Sequence, residues 1–252
     1  MSRVPGNDAL QARWVAALLA RERRGLVSRL LGGVVHNLSG AFQMIQMPVD
    51  LLERSLLEGR VKEACLRVAS TRQGIDRLLK ELHLLTAYAN QSSDAALREF
   101  DPAVVVRGML EFWVGDLFFK HEVALKAELP GGAARVRGVV ADLGVALNAL
   151  IENALESLQS TGGTRLEIRL GVEPEWAELW VRDEGPGPAA EMQPRMFDPF
   201  EGDKGGEHEG LGLFLAREAL RPWGGEVGYR QGPAGGFFLR LPRVGPEAKG
   251  SS

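Results

Sequence analysis

Asp183, Gly185 and Gly187 stand in the run VRDEGPGP (181–188). A carboxylate at the end of a strand can accept a hydrogen bond from an exocyclic amine such as that of adenine. The two glycines let backbone approach a flat base closely. Farther on, GLGLFLAREAL (210–220) opens a helix with Gly210, Gly212 and Leu213. Free backbone N–H groups at a helix start favour anionic phosphate. Asn153, in LNALIENALES (147–157), carries an amide oxygen of the hard type that Mg²⁺ takes, with phosphates as its other ligands. Lys204 can meet a phosphate as a point charge. Each signal is weak alone, because Asp-x-Gly-x-Gly is usually only a turn and Gly-x-Gly before a helix is ambiguous. Their order, together with the aromatic segment MFDPF (196–200), makes coincidence a poor explanation.

The elements that must hold these residues fall into two halves. Residues 8 to about 90 show no strand-like alternation. Val35, Leu38, Phe42, Ile45, Val49, Leu52 and Leu56 recur three and four apart, a heptad seam. A second seam runs through Val61, Ala64, Val68, Thr71, Ile75, Leu78, Leu82, Leu85 and Ala89, after a break at Glu58-Gly59-Arg60. The pattern predicts two long helices in a hairpin, with Pro48 kinking the first. One hairpin cannot cover both of its stripes, so a second copy completing a four-helix bundle is expected.

After Asn90-Gln91-Ser92-Ser93-Asp94 the periodicity changes. Asp101-Pro102 is a helix start. Alternation over 123–129, 165–170 and 177–181 predicts strands, as do 225–230 and 236–241, while 141–158 and 211–221 read as helices. The expected class is α+β: a dimeric helical hairpin over 1–95, a two-layer α/β sandwich over 96–245 and a disordered tail over 246–252.

The four ordered segments resemble the N, G1, F and G2 boxes of the histidine kinase ATPase domain, within the gyrase, heat-shock-90, kinase and MutL superfamily. The resemblance covers about 97–242 and implies a Bergerat-type sandwich binding ATP–Mg²⁺ under a lid from about Pro188 to Glu209. Asn153 would hold the metal. LLGGVVHNLSGAFQMIQMPVDLLER (30–54) is similar to the family's H box, which makes His36 the phosphoacceptor, with Asn37 beside it. The mechanism implied is attack of neutral His36 on the γ-phosphorus, then transfer to an aspartate of a response-regulator receiver domain. His83 lies beside the second seam, His121 at a strand start and His208 in the lid.

The chain departs from the family at several positions. An acidic residue usually follows the phosphoacceptor, whereas Asn37 can accept a hydrogen bond but no proton. Gly40 stands where bifunctional members carry Asn or Thr, and Ala41 where proline is usual. Ala149 occupies the place of a second asparagine, and Asn148, one residue away, is expected to point about 100° aside. Some thirty residues precede the H box, so the signal is expected from a sensory partner gripping the N-terminal helix, or the chain is a fragment. Two other readings of the same residues are a weakly active or inactive dimeric phosphotransfer adaptor and a serine kinase or ATPase of the superfamily.

Composition limits the alternatives. A net charge of −3 lacks the basic excess of a nucleic-acid binder. A single cysteine, Cys65, suits a reducing compartment. No continuous apolar run suits membrane insertion or a signal peptide. A cytoplasmic location is expected.

Overall fold

The computed structural model describes residues 5–92, 96–132, 134–201, 210–232 and 235–244, with the side chains of 5–10, 26–41, 77 and 80–92 outside the described set. Helix α1 runs from Pro5 to Leu57 as one element through Pro48, and α2 from Val61 to Ser92. Gly59, at φ 70°, turns the chain between them, and Arg60 N–H bonds Ser55 O at 2.8 Å. Glycine takes that left-handed conformation without a Cβ penalty.

The two heptad seams divide by exposure. Ile45 and Leu52 on α1 and Ala64, Thr71 and Gly74 on α2 are buried or half-buried. A Cβ on Gly74 would fall 2.8 Å from Ile45 Cγ1, so the helices cross closely there. The alternate heptad positions Phe42, Val49, Leu56, Val61, Val68 and Ile75 are all exposed.

The second half is a sheet backed by helices. Its elements are β1 (Arg98–Phe100), α3 (Pro102–Trp113), α4 (Leu117–Glu122), β2 (Ala124–Glu128), β3 (Val136–Gly138) and α5 (Val140–Thr161). They are followed by β4 (Arg165–Val172), β5 (Trp176–Asp183), α6 (Gly212–Leu220), a 3-10 turn (Arg221–Trp223), β6 (Glu226–Arg230) and β7 (Gly236–Pro242). The main sheet has the order β2-β4-β5-β7-β6, parallel only between β2 and β4, and β1 pairs β3 separately. The α+β class and the sandwich are as the sequence predicts. His121 differs: it lies in α4, not at a strand start, because the Asp116 carboxylate caps the helix by accepting from Phe119 N–H at 2.8 Å.

Strand parity builds the core and also delivers the site. Ala177, Leu179 and Val181 of β5 are buried toward the helices, and Leu179 and Val181 sit opposite Leu239 and Phe237 of β7. With a period of two, Asp183 takes the same face at the strand's end, opposite Leu166. Helix α5 crosses this face and is buried on nearly every side from Val140 to Asn148. On the outer face, Glu178 is buried among Arg230, Arg240 and Trp180, with both guanidinium groups hydrogen-bonded to its carboxylate. Burial raises its affinity for a proton, and the hydrogen bonds from Arg240 and Arg230 outweigh that, leaving the carboxyl below its usual range.

Helix α1 does not end at the bundle. Leu19 is buried in the sandwich core, and Arg23 Nε donates to Asp142 Oδ1 at 2.8 Å.

Candidate nucleotide site

A cavity of about 540 Å³ opens between α5, the end of β5, the residues after it and the start of α6. Asp183 stands at one end. Its Oδ1 accepts from Ser157 Oγ at 2.8 Å and from Gly185 N–H at 2.7 Å. These two bonds fix the carboxylate and leave Oδ2 for a ligand donor. Ser157 is four residues after Asn153, on the same face of α5. The next residue, Glu184, accepts N–H groups of Thr164 and Arg165 and pins the turn to the start of β4. Those bonds hold its carboxyl below the usual range.

The two glycines after Asp183 serve different ends. Gly187 lines the cavity at φ 71°, and a Cβ there would meet Tyr229 Oη at 2.3 Å. Gly185 does not line the cavity. A Cβ on it would fall 1.9 Å from Ser157 Oγ and 2.5 Å from Asp183 Oδ1, so its role is to let the carboxylate be held.

At the other end Gly210, Gly212 and Leu213 line the cavity where α6 begins. Gly210 has φ 63°, and Phe200 N–H bonds its carbonyl at 3.1 Å. Phe200 is itself at φ 63°, a costly conformation for a bulky side chain, and is exposed. Phe197, three residues earlier, meets Phe237 edge-on at 6.5 Å. Gly212 lies against Ala149, whose Cβ is 3.7 Å from where its own would stand. The first α6 turn thus presents backbone N–H groups toward α5, an arrangement that favours anions.

Asn153 lines the cavity between these ends, and among the described residues its amide has no hydrogen-bond partner. The described residues hold no group of three or more His, Cys, Asp or Glu able to bind a metal unaided. An amide oxygen of this kind fits Mg²⁺, which would keep phosphate and water oxygens as its other ligands. Asn148, offset by one helical step from Ala149, still lines the same cavity and is only 4% exposed. The cavity face of α5 is wider than one 100° step.

His36 and Asn37 lie within α1, and their side chains are outside the described set, as are those of Gly40's neighbours. Lys204, His208 and the tail 246–252 also lie outside the described residues. Reasoning from sequence missed Ser157 and the α1 residues Leu18, Arg21 and Glu22, which line the cavity, and Tyr229, which packs against Gly187. Ser157 could have been found from its i, i+4 relation to Asn153.

Residues 138–245 match the family described as histidine kinase-, DNA gyrase B- and HSP90-like ATPase. This segment is a histidine-kinase-type ATPase domain. The resemblance read from the four boxes is therefore borne out. Relatives of the chain carry sensor names. The two-component sensor PprA of Pseudomonas aeruginosa is 27% identical over 97% of this chain and 27% of its own length. The C4-dicarboxylate transport sensor protein DctB of Rhizobium meliloti is 25% identical over 88% of this chain and 35% of its own. The sensor histidine kinase DcuS of Escherichia coli reaches 34% identity over 48% of the chain and 23% of its own length. The chain thus spans about a quarter to a third of these proteins. The ATPase domain also shares its fold with the catalytic domain of the histidine kinase ThkA, at a TM-score of 0.52 and 22% identity, covering 59% of this chain and 96% of that one.

Proposed function

We propose that the chain is a protein histidine kinase that phosphorylates His36 from ATP and passes the phosphoryl group to a response-regulator aspartate. The observation that carries the reading is the two-ended cavity. Asp183, held by Ser157 and Gly185, offers one acceptor for an adenine amine, and the glycine-opened start of α6, lining the same cavity, offers donors for phosphate. Gly187 admits the base, Gly210, Gly212 and Leu213 receive the phosphates, and Lys204 adds a cation. Asn153 would hold Mg²⁺, which when bound neutralises phosphate charge.

Transfer begins with the lone pair of Nε2 on neutral His36. It attacks the γ-phosphorus, the bond to the β-phosphate oxygen breaks, and ADP leaves. The proton remaining on Nδ1 passes to solvent, since Asn37 can orient the ring but takes no proton. The ordinary histidine pKa of about 6.5 leaves the ring mostly neutral near pH 7. The loose transition state demands little early proton removal, so positioning is the main task.

A homodimer fits the exposed heptad stripe. Phe42, Val49 and Leu56 on α1 and Val61, Val68 and Ile75 on α2 are between 42 and 66% exposed, and a second hairpin would cover them as a four-helix bundle. The exposed Cys65 suits a reducing, cytoplasmic setting, and among the described residues no helix is long and apolar enough to cross a membrane.

Incubation with ATP labelled at the γ or the α position tests the reaction. The proposal expects covalent label from the γ position only, lost in acid as phosphoramidates are. Acid-stable label would instead identify a serine kinase of the superfamily, and no label a scaffold.

A further inference from the structure

The sandwich alone does not close the cavity. Helix α1 lays Leu18, Arg21 and Glu22 along its far wall. This stretch is anchored on both sides of Arg21. Leu19 is buried in the domain core, and Arg23 is paired with Asp142 in the first turn of α5. Asp142 is only 4% exposed, and burial pushes its carboxyl up against the pull of Arg23.

The anchor fixes which end of the cavity Arg21 occupies. Asp142 and Ser157 are fifteen residues apart on α5, about 22 Å along the axis. Ser157 marks the Asp183 end, so α1 approaches the opposite end, where Gly212 meets Ala149. Two polar side chains, Arg21 and Asn148, line the cavity. Arg21 is exposed and has no hydrogen bond or ion pair among the described residues. Asn148, buried in the facing wall, likewise has no partner among them. Glu22, by contrast, is already engaged. A planar guanidinium beside a neutral amide, at the end of a cavity opened by a helix N-terminus, suits the terminal phosphate of a nucleoside triphosphate.

We propose that residues 18–22 of α1 complete the nucleotide site, with Arg21 contacting the terminal phosphate of ATP and Asn148 facing it, so that ATP is read in preference to ADP by helix and ATPase domain together. The inference rests on the nucleotide reading of the cavity. It also gives the contact a regulatory meaning. Arg21 and His36 lie fifteen residues apart on one helix, about 22 Å along its axis. A phosphate held at Arg21 cannot reach His36 of the same helix until the domain moves. Docking on residues 18–23 is thus an ATP-loaded resting state, and a partner that shifts the N-terminal helix acts directly on the triphosphate.

Calorimetry on the 252-residue chain, with Mg²⁺ and either a non-hydrolysable ATP analogue or ADP, tests this. Arg21→Ala should lower affinity for the analogue about tenfold while changing that for ADP less than about twofold. Arg21→Lys should restore part of the loss, and Arg24→Ala, exposed and outside the cavity, should change neither affinity. Alanine suits an exposed helix position, so folding is preserved. An unchanged ratio of analogue to ADP affinity in Arg21→Ala, or equal losses of both, overturns the proposal. Asp183→Asn is the companion: if it weakens both ligands, the nucleotide reading stands whatever Arg21 does, and if it weakens neither, that reading fails first.

Discussion

Replacing Asp183 by Asn isolates the contact on which nucleotide recognition rests. In the wild type Oδ1 already takes two donors, Ser157 Oγ at 2.8 Å and Gly185 N–H at 2.7 Å. Oδ2 is the acceptor left for the ligand. An asparagine that keeps its oxygen on Ser157 and Gly185 turns its NH₂ toward the ligand amine, donor against donor. The loss is one charge-assisted hydrogen bond, about 1.5–3 kcal/mol, with the lower part of that range fitting a half-exposed carboxylate. About 2 kcal/mol corresponds to roughly thirtyfold weaker binding. Ser157→Ala removes one of the two supports and leaves the acceptor in place, so a loss of about 1 kcal/mol, or roughly fivefold, is expected. Titration calorimetry of the chain with Mg²⁺ and a non-hydrolysable ATP analogue measures both. The reasoning is refuted if Asp183→Asn binds within about threefold of wild type, or if Ser157→Ala is the more damaging change.

Other outcomes follow from the same geometry and chemistry. Asn37→Glu should raise the autophosphorylation rate, because general-base assistance contributes about 10²–10⁴-fold where a reaction needs it; a fast wild-type enzyme indifferent to the change would contradict this. Gly40→Asn should confer phosphatase activity on a wild type with little, measured as loss of label from a phosphorylated regulator. Leu56→Glu with Val68→Glu should weaken dimerisation at least about tenfold by placing charge in the apolar stripe, and sedimentation showing an unaltered dimer would count against the bundle. Glu178 is held below its ordinary value of 4.5, so its stabilising contribution is complete above that pH and disappears as pH falls through the lower, folded value. Glu178→Gln should therefore flatten the acid limb of the unfolding midpoint against pH, and an unchanged limb would remove Glu178 as its source.

Much of this arrangement is legible in the sequence because local periodicity dictates it. Alternation along Ala177, Leu179 and Val181 also puts Asp183 on the helix side, and the α5 pattern carries Asn153 to the same cavity. The limits are physical too. Strands β1 and β3 have three residues each, too few to establish a period. Helix α4 is a six-residue element set by the Asp116 cap, in a stretch whose flanking residues alternate like a strand. Asn148 is displaced by one step of the helix from Ala149, and α5 is enclosed so fully that its cavity face spans more than one step. The docking of α1 was the least legible feature. Nothing in the local pattern around Leu18 and Leu19 distinguishes them from the rest of a long helix, and only the burial of Leu19 in the core and the pairing of Arg23 with Asp142, 119 residues away, tie them to the ATPase domain.

Phosphorylation as proposed needs two distant positions, the Asp183 carboxylate that meets the nucleotide and the phosphoacceptor His36. Its most direct test is a labelling time course with γ-labelled ATP on the wild type, His36→Gln and Asp183→Asn in parallel. Acid-labile, alkali-stable label is expected on the wild type, none on His36→Gln although that variant still binds ATP, and a strongly reduced rate on Asp183→Asn. Label that persists in His36→Gln, or that appears on Asp183→Asn at the wild-type rate, would contradict this expectation.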